Sequence, residues 1–342
     1  MPVEDEHGGH ASPGVWRHPE ARAEAWTPEV AGAYLASFRR LRDLSRPRAT
    51  TPLRLAFLGQ RSYFGVTAPP EDLPGLTSHF FDRIPGTDPS EVTGRLRRWA
   101  PDVLVVFRPE LHHDVLRNVP ETLRVGLLTE PVLIPGWEGN LDLQRRTSEF
   151  AALDPSSCDL YVGFNPTFTD TWESRVPIWR HLPLPVHDSV YCPPDAVTVP
   201  RRAGGIFVGR VTDHRNRFLM PLKHRFDWTV VDHGLRSLAG ITVGLNLHAD
   251  DYPNFENRVA LHLARGHLVL TEPLSPQYDL IDGVQVLSVD RPRDLVEMVA
   301  DIDDLPERHH HIAQRGRLAA ESFRASRRWP DLLVDLAAAV NP

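Results

Sequence analysis

Near-continuous apolar runs, each too short for a helix, recur along this chain. In the first half they are Leu53–Gly59, Asp102–Phe107, Arg124–Glu130 and Asp159–Phe164. Strands buried on both faces need runs of this kind, and parallel sheets are built from them. Between them lie segments of helical character, Glu91–Trp99 and about Leu141–Leu153. A proline-bearing apolar stretch, Trp179–Val186, follows. After the proline-rich segment Pro183–Arg202 the alternation starts again. Strands are expected at Ile206–Val208, Trp228–Val231, Thr242–Leu247, Leu268–Leu270 and Val284–Val289. Helices are expected at about Arg215–Lys223, Asn257–Arg265, Pro292–Asp301, Leu305–Ala325 and Trp329–Val340. Strand–helix alternation of this length specifies an α/β fold with parallel sheets. At 342 residues the chain exceeds one ordinary core. Two doubly wound, Rossmann-like domains facing a cleft are therefore expected, with ligands at the carboxyl ends of the strands.

Residues 1–25 show no period and read as a mobile tail. Thr27-Pro28-Glu29 has the chemistry of a helix start, and a helix to about Leu44 is expected. The expected division is 26–190 for the first domain, 191–328 for the second, and 329–342 for a C-terminal helix returning to the first.

A net charge of -7 argues against a general nucleic-acid or anionic-membrane surface. Two cysteines, Cys158 and Cys192, match neither a metal-ligand spacing nor a disulfide framework. No apolar run approaches the roughly 20 residues of a spanning helix. The acidic start, Met1-Pro2-Val3-Glu4-Asp5-Glu6, is unlike a signal peptide. A cytoplasmic location is the expectation by elimination. His309-His310-His311 is no metal site by sequence, because adjacent residues on a helix point in different directions.

The segment with most chemical content is Gly204-Gly205-Ile206-Phe207-Val208-Gly209-Arg210, followed by Arg215. A buried strand ends in a glycine, where an anion can approach the main chain. Arginine forks pair bidentately with phosphate oxygens. Either this is a diphosphate site or an ordinary strand–helix turn with solvated arginines. Asn257-Arg258 opens a helix after Asp250–Asn254, so its amides can face an anion. Arg258 either does so or pairs with Glu256 or Asp251. His262, one helical turn on, either meets ligand hydroxyls or packs in the core. Glu272 ends the strand Leu268–Leu270, where it either contacts a ligand or caps the Pro273–Pro276 turn. In the first half, Gly59-Gln60, Glu130 and Asn165 each follow a strand and are candidates for the cleft. Glu130 has the chemistry to orient an acceptor hydroxyl or act as a base.

These motifs together resemble the nucleotide-sugar domain of retaining GT-B glycosyltransferases. Phe207-Val208-Gly209-Arg210…Arg215 is similar to the family's FVGR…K opening, with Arg215 on the lysine. Phe255–Glu272 resembles its helix–turn–strand unit. The subgroup resembled most is the spore-maturation type, through an Arg-containing helix ending in Ala264-Arg265-Gly266 and the terminal stretch Arg317–Trp329. The resemblance spans about 204–335 and is looser over 53–190. It implies sugar transfer from a nucleotide sugar to a hydroxyl-bearing acceptor with retention and without a metal. It places Arg210 and Arg215 on the diphosphate at the strand-closing Gly209 and retains the acid at Glu272, while Glu256, Asn257, Arg258 and His262 are further candidates around the donor. The sequence departs from the pattern where Leu261 and Pro253 replace two family acids. That departure motivates an alternative, a non-catalytic nucleotide-sugar or glycan-binding protein on the same fold.

Overall fold

A computed structural model describes residues 52–340 apart from 85, 120–121, 131, 133–140, 167–171, 173–174, 177, 227, 232–239 and 250–252. The expected tail and the helix from Thr27 lie outside the described residues.

The first sheet contains β1 (Leu53–Gly59), β2 (Asp72–Leu73), β3 (Leu76–Asp82), β4 (Val103–Phe107), β5 (Leu123–Leu128), β6 (Leu160–Gly163) and β7 (Ile178–His181). Their order is β2-β3-β1-β4-β5-β6-β7. All pairings are parallel except the short β2–β3 hairpin. The second sheet contains β8 (Gly205–Val208), β9 (Thr229–Val231), β10 (Val243–Asn246), β11 (Leu268–Thr271) and β12 (Leu287–Ser288), ordered β12-β11-β10-β8-β9 and wholly parallel. Read from β9, this is the flavodoxin-like order, and its chain reversal lies between β8 and β10.

The described helices are α1 (Arg61–Phe64), α2 (Pro89–Trp99), α3 (His113–Leu116), α4 (Leu141–Ala151), α5 (Asp213–Phe226), α6 (Asn257–Ala264), α7 (Pro292–Ala300), α8 (Pro306–Ala319) and α9 (Ala325–Val340). Local chemistry sets their ends. Asp88 caps α2 by accepting from Ser90 N at 2.9 Å, and Pro89 supplies the first helical position. Gly266, at φ +74°, turns the chain from α6 into β11.

The period-2 alternation of β1 divides the first core. Ala56 and Leu58 pack on one face of the sheet. Leu55 and Phe57 pack on the other, in a cluster that continues through Phe323 to Phe255, Val259 and Leu263 of the second half. The far side of the second sheet has its own core around Phe207, Leu222, Leu245 and Leu295. Helix α9 returns to the first half, where Trp329 meets Phe57 edge-on at 4.8 Å and donates from Nε1 to Thr67 O at 2.6 Å.

The structure adds to and shortens the elements expected from sequence. No strand was assigned at β3. Its Thr77-Ser78-His79 stretch is polar, yet Ser78 is buried because its hydroxyl donates to Pro70 O at 3.1 Å. The strand expected over Val284–Val289 shrinks to Leu287–Ser288, because Gly283 N and Val286 O close a turn at 2.8 Å.

Candidate functional site

The carboxyl ends of β8 and β10 lie side by side at the chain reversal of the second sheet. β8 ends in Gly209 at φ +140°, a backbone conformation open to glycine. A Cβ there would lie 3.1 Å from Arg258 Nη1, so the guanidinium sits directly against the glycine backbone. Arg258 comes from the first turn of α6, and its side chain is only 11% exposed.

Glu256, the residue capping α6, does not cap with its carboxylate. The carboxylate pairs with Arg258 on one side and with Arg215 on the other, 2.7 Å away. Both guanidiniums lie over the Phe207 ring, at 5.0 Å for Arg258 and 5.4 Å for Arg215. Burial pushes the Glu256 carboxyl up, but Arg258 and Arg215 outweigh it and hold the group below its ordinary range. Burial lowers Arg258 to about 10 despite the opposing pull of Glu256. It still carries its charge at neutral pH. Its Nη1 is buried with no hydrogen-bond partner among the described residues.

Arg215 is differently placed. Its side chain is 6% exposed. Its Nε donates to Leu247 O at 3.0 Å and its Nη1 to Arg210 O at 2.9 Å. These bonds tie the loop after β8 to the end of β10. The sequence placed Arg215 on the phosphate, but the structure gives it the work of holding the loop. Arg210 is 64% exposed and pairs with Asp142 of α4, so it bridges the two halves. Asp142 is held below the ordinary carboxylate range first by that hydrogen bond.

Glu272 follows β11 and is buried. Its Oε1 lies 2.7 Å from His214 Nε2, and its Oε2 accepts from His248 N at 2.7 Å. Asn257 begins α6 with its Oδ1 buried and unpartnered. His248 was not singled out by sequence. It sits beyond β10 with its Nε2 2.9 Å from Pro273 O and its Nδ1 buried without a partner. A histidine closing an apolar strand was the available signal.

Four sequence candidates require correction. His262 is 0% exposed and lies between α6 and the middle of β10, away from the strand ends where the donor is expected. It packs against Gly244 of β10, and its Nδ1 lies 3.0 Å from His267 Nδ1. Asn165 is not free in a cleft. Its Nδ2 donates to Asn254 Oδ1 at 2.6 Å and to Ser275 O at 3.3 Å, joining the halves at a buried seam. Gly59 is buried against Phe107, with no room for a Cβ beyond 3.0 Å. Gln60 accepts through its carbonyl from Tyr63 N and Phe64 N, which starts α1.

Glu130 does stand at the carboxyl edge of the first sheet, 3.2 Å from Arg146 of α4. Nearby, Arg108 bonds Glu110 at 2.9 Å and Glu149 at 2.5 Å. Burial raises the Glu110 carboxyl, and Arg108 opposes that rise. The consecutive histidines diverge as expected of a helix: His309 is buried, and His310 approaches Val197 O at 2.9 Å. No helix among the described residues is long and apolar enough to cross a membrane.

No family model matches the sequence, and no curated protein matches it. Solved structures do match the fold. Sucrose-phosphate synthase from Thermosynechococcus elongatus is 11% identical at a TM-score of 0.53, over 84% of this chain and 100% of that one. HepE (Alr3699) of Anabaena in complex with UDP and glucose is 10% identical at 0.52, over 84% and 100%. A glycosyltransferase from Rickettsia africae is 7% identical at 0.51, over 84% and 99%. With its two parallel Rossmann-like sheets, the chain has the GT-B fold of these glycosyltransferases.

Proposed function

We propose that the protein is a glycosyltransferase that moves a sugar from a nucleotide-sugar donor to a hydroxyl-bearing acceptor. The observation that carries this is Arg258: a buried cation with an unpartnered Nη1, pressed against Gly209 at the reversal of the second sheet. An arginine so placed is preorganised for an anion whose charge grows during reaction. The amides at the start of α6 add to the same field. Arg210 adds a second, mobile cation. In this reading the diphosphate is met by side chains and amides, with no metal.

The acceptor oxygen attacks the anomeric carbon as the bond from that carbon to the diphosphate oxygen breaks. The nucleoside diphosphate leaves with the bonding pair, and the acceptor proton passes to a phosphate oxygen. Attack from the leaving-group face retains configuration and needs no strong protein base. Glu130, held by Arg146 at the carboxyl edge of the first sheet, orients the acceptor hydroxyl. The acceptor then belongs to the unit of 26–190 and the donor to that of 191–328.

One observation favours the binding-protein alternative. Leu261 packs against the apolar core, where the resembled family has a hydroxyl-binding acid. Nucleoside diphosphate release across donors and acceptors separates the two, since only transfer liberates it.

The test is ligand-induced stabilisation with uridine, guanosine, adenosine, cytidine and thymidine diphosphates. A ligand at 100-fold its Kd stabilises the folded state by about 2.7 kcal/mol. At least one should raise the Tm. Arg258→Ala should then weaken that ligand by about 10–100-fold, the loss of one charge-assisted hydrogen bond. The proposal fails if none of the five shifts the Tm at millimolar concentration.

A further inference from the structure

We propose that His248 is a specificity residue for the donor, and that its Nδ1 accepts a hydrogen bond from a hydroxyl flanking the diphosphate. The inference rests on the glycosyl-transfer reading and says which part of the ligand this site recognises.

His248 is fixed from several sides. Its backbone N–H donates to Glu272 Oε2 at 2.7 Å. The preceding residue's carbonyl holds Arg215 Nε at 3.0 Å, and the following residue's carbonyl accepts from Thr212 Oγ1 at 2.7 Å. Among the described residues the ring has one partner, Pro273 O, 2.9 Å from Nε2. A carbonyl only accepts, so Nε2 carries the proton and Nδ1 is a bare lone pair. That lone pair is buried and has no donor among the described residues. Burial holds the imidazole below its ordinary value, which keeps the lone pair available at neutral pH.

Two neighbouring orphan atoms complete the pattern. Arg258 Nη1 is a cationic donor without an acceptor, and Asn257 Oδ1 is an acceptor without a donor. Arg215 links them to His248: its Nε is held at 3.0 Å by the carbonyl of Leu247, the residue before His248, and its Nη2 at 2.7 Å by Glu256, the carboxylate that also pairs with Arg258. Buried polar atoms in a folded protein find partners, and a cluster of orphans at one strand edge is complementary to a ligand. The ligand that satisfies all three offers an anionic oxygen to Arg258 and O–H donors to His248 and Asn257. A diphosphate flanked by hydroxyls has this chemistry, whereas inorganic pyrophosphate lacks the flanking hydroxyls. Glu272, with both oxygens engaged by His214 and His248, then acts as a positioning residue.

The hydroxyl belongs either to the ribose or to the transferred sugar, and the experiment separates them. Calorimetric Kd values are measured for the best-binding nucleoside diphosphate, its glucose conjugate and inorganic pyrophosphate. The proteins are wild type, His248→Gln and His248→Asn. The glutamine amide can still donate to Pro273 O but offers no acceptor at the Nδ1 position. Asparagine Oδ1 restores an acceptor near Nδ1. His248→Gln is expected to keep pyrophosphate affinity and to lose about 10-fold on the hydroxyl-bearing ligand, with His248→Asn nearer wild type. Weakening of the diphosphate and its conjugate assigns the ribose, and weakening of the conjugate alone assigns the sugar. On wild type, a 2′-deoxy, 3′-deoxy or deoxy-sugar ligand should show the same loss without any substitution. Equal weakening of pyrophosphate by His248→Gln, or no loss with any deoxy ligand, overturns the assignment. A wild type that binds no nucleoside diphosphate overturns the glycosyl-transfer reading beneath it.

Discussion

Glu256 carries opposite obligations. It neutralises two buried arginines, yet under the proposed function it must leave one of them able to bind an anion. Arg215 answers with three different contacts, and Arg258 keeps its Nη1 unpartnered. Removing one member of a buried ion cluster leaves uncompensated charge, at a cost of about 3–5 kcal/mol. Glu256→Gln should therefore lower stability by about that much at pH 7. The pH dependence follows from the depressed carboxyl. A group whose folded pKa lies below its unfolded value stabilises above the unfolded value, about 4.3, and loses that contribution as pH falls through the folded one. The gap between wild type and Glu256→Gln should thus be constant from pH 7 to about 5 and narrow below about 4. Denaturant melts across that range test it, and a gap that widens in acid contradicts the pairing. The sequence offered Glu256 as a partner for Arg258, and that much was legible. It could not show that Arg215 joins the same carboxylate, because that contact joins residues 41 apart in the chain.

At the scale of elements, the parallel strands were legible because burial on both faces leaves an unbroken apolar run. Leu53–Gly59 and Val103–Phe107 are examples. β3 was not legible, since the burial of its polar Ser78 depends on hydrogen bonds donated to the carbonyls of a proline-rich neighbour. The glycine in β10 was equally silent. Gly244 faces α6, where a Cβ would lie 2.2 Å from the His262 ring. That close approach sets how near the helix comes to the sheet, and so where Arg258 is delivered at the strand end. Gly244→Ala should destabilise the protein by about 1–3 kcal/mol, the usual cost of overpacking. Adding His262→Ala should recover part of that loss, and a double-mutant cycle measures the coupling. Strict additivity would mean that the helix and sheet do not meet through this pair.

At the scale of the molecule, the two halves are joined in two ways. Behind the site the joint is apolar and buried. Phe323 and Phe255 share one core with Phe57, and Tyr278 donates to Phe164 O at 2.7 Å. At the site the joint is electrostatic and open to water: Arg210 of the second half meets Asp142 of α4. The back is a shared buried core, and the front contact, a latch in form, is an exposed ion pair. Exposed ion pairs contribute about 0.2–1 kcal/mol, so the latch adds little to stability. Its effect is competitive, because Asp142 holds the cation that the proposed diphosphate would recruit. Asp142→Ala should leave the Tm within about 1–2 °C of wild type, since so small a term shifts a chain of this size little. It should tighten nucleoside diphosphate binding by about 2–5-fold, the fold-change equivalent to such a pair. Arg210→Ala should weaken the same ligand, and the double variant should match Arg210→Ala alone. Calorimetry on the three proteins decides the matter. If Asp142→Ala instead weakens binding, the carboxylate helps assemble the closed site, and the front contact is a clasp for the ligand rather than a rival to it.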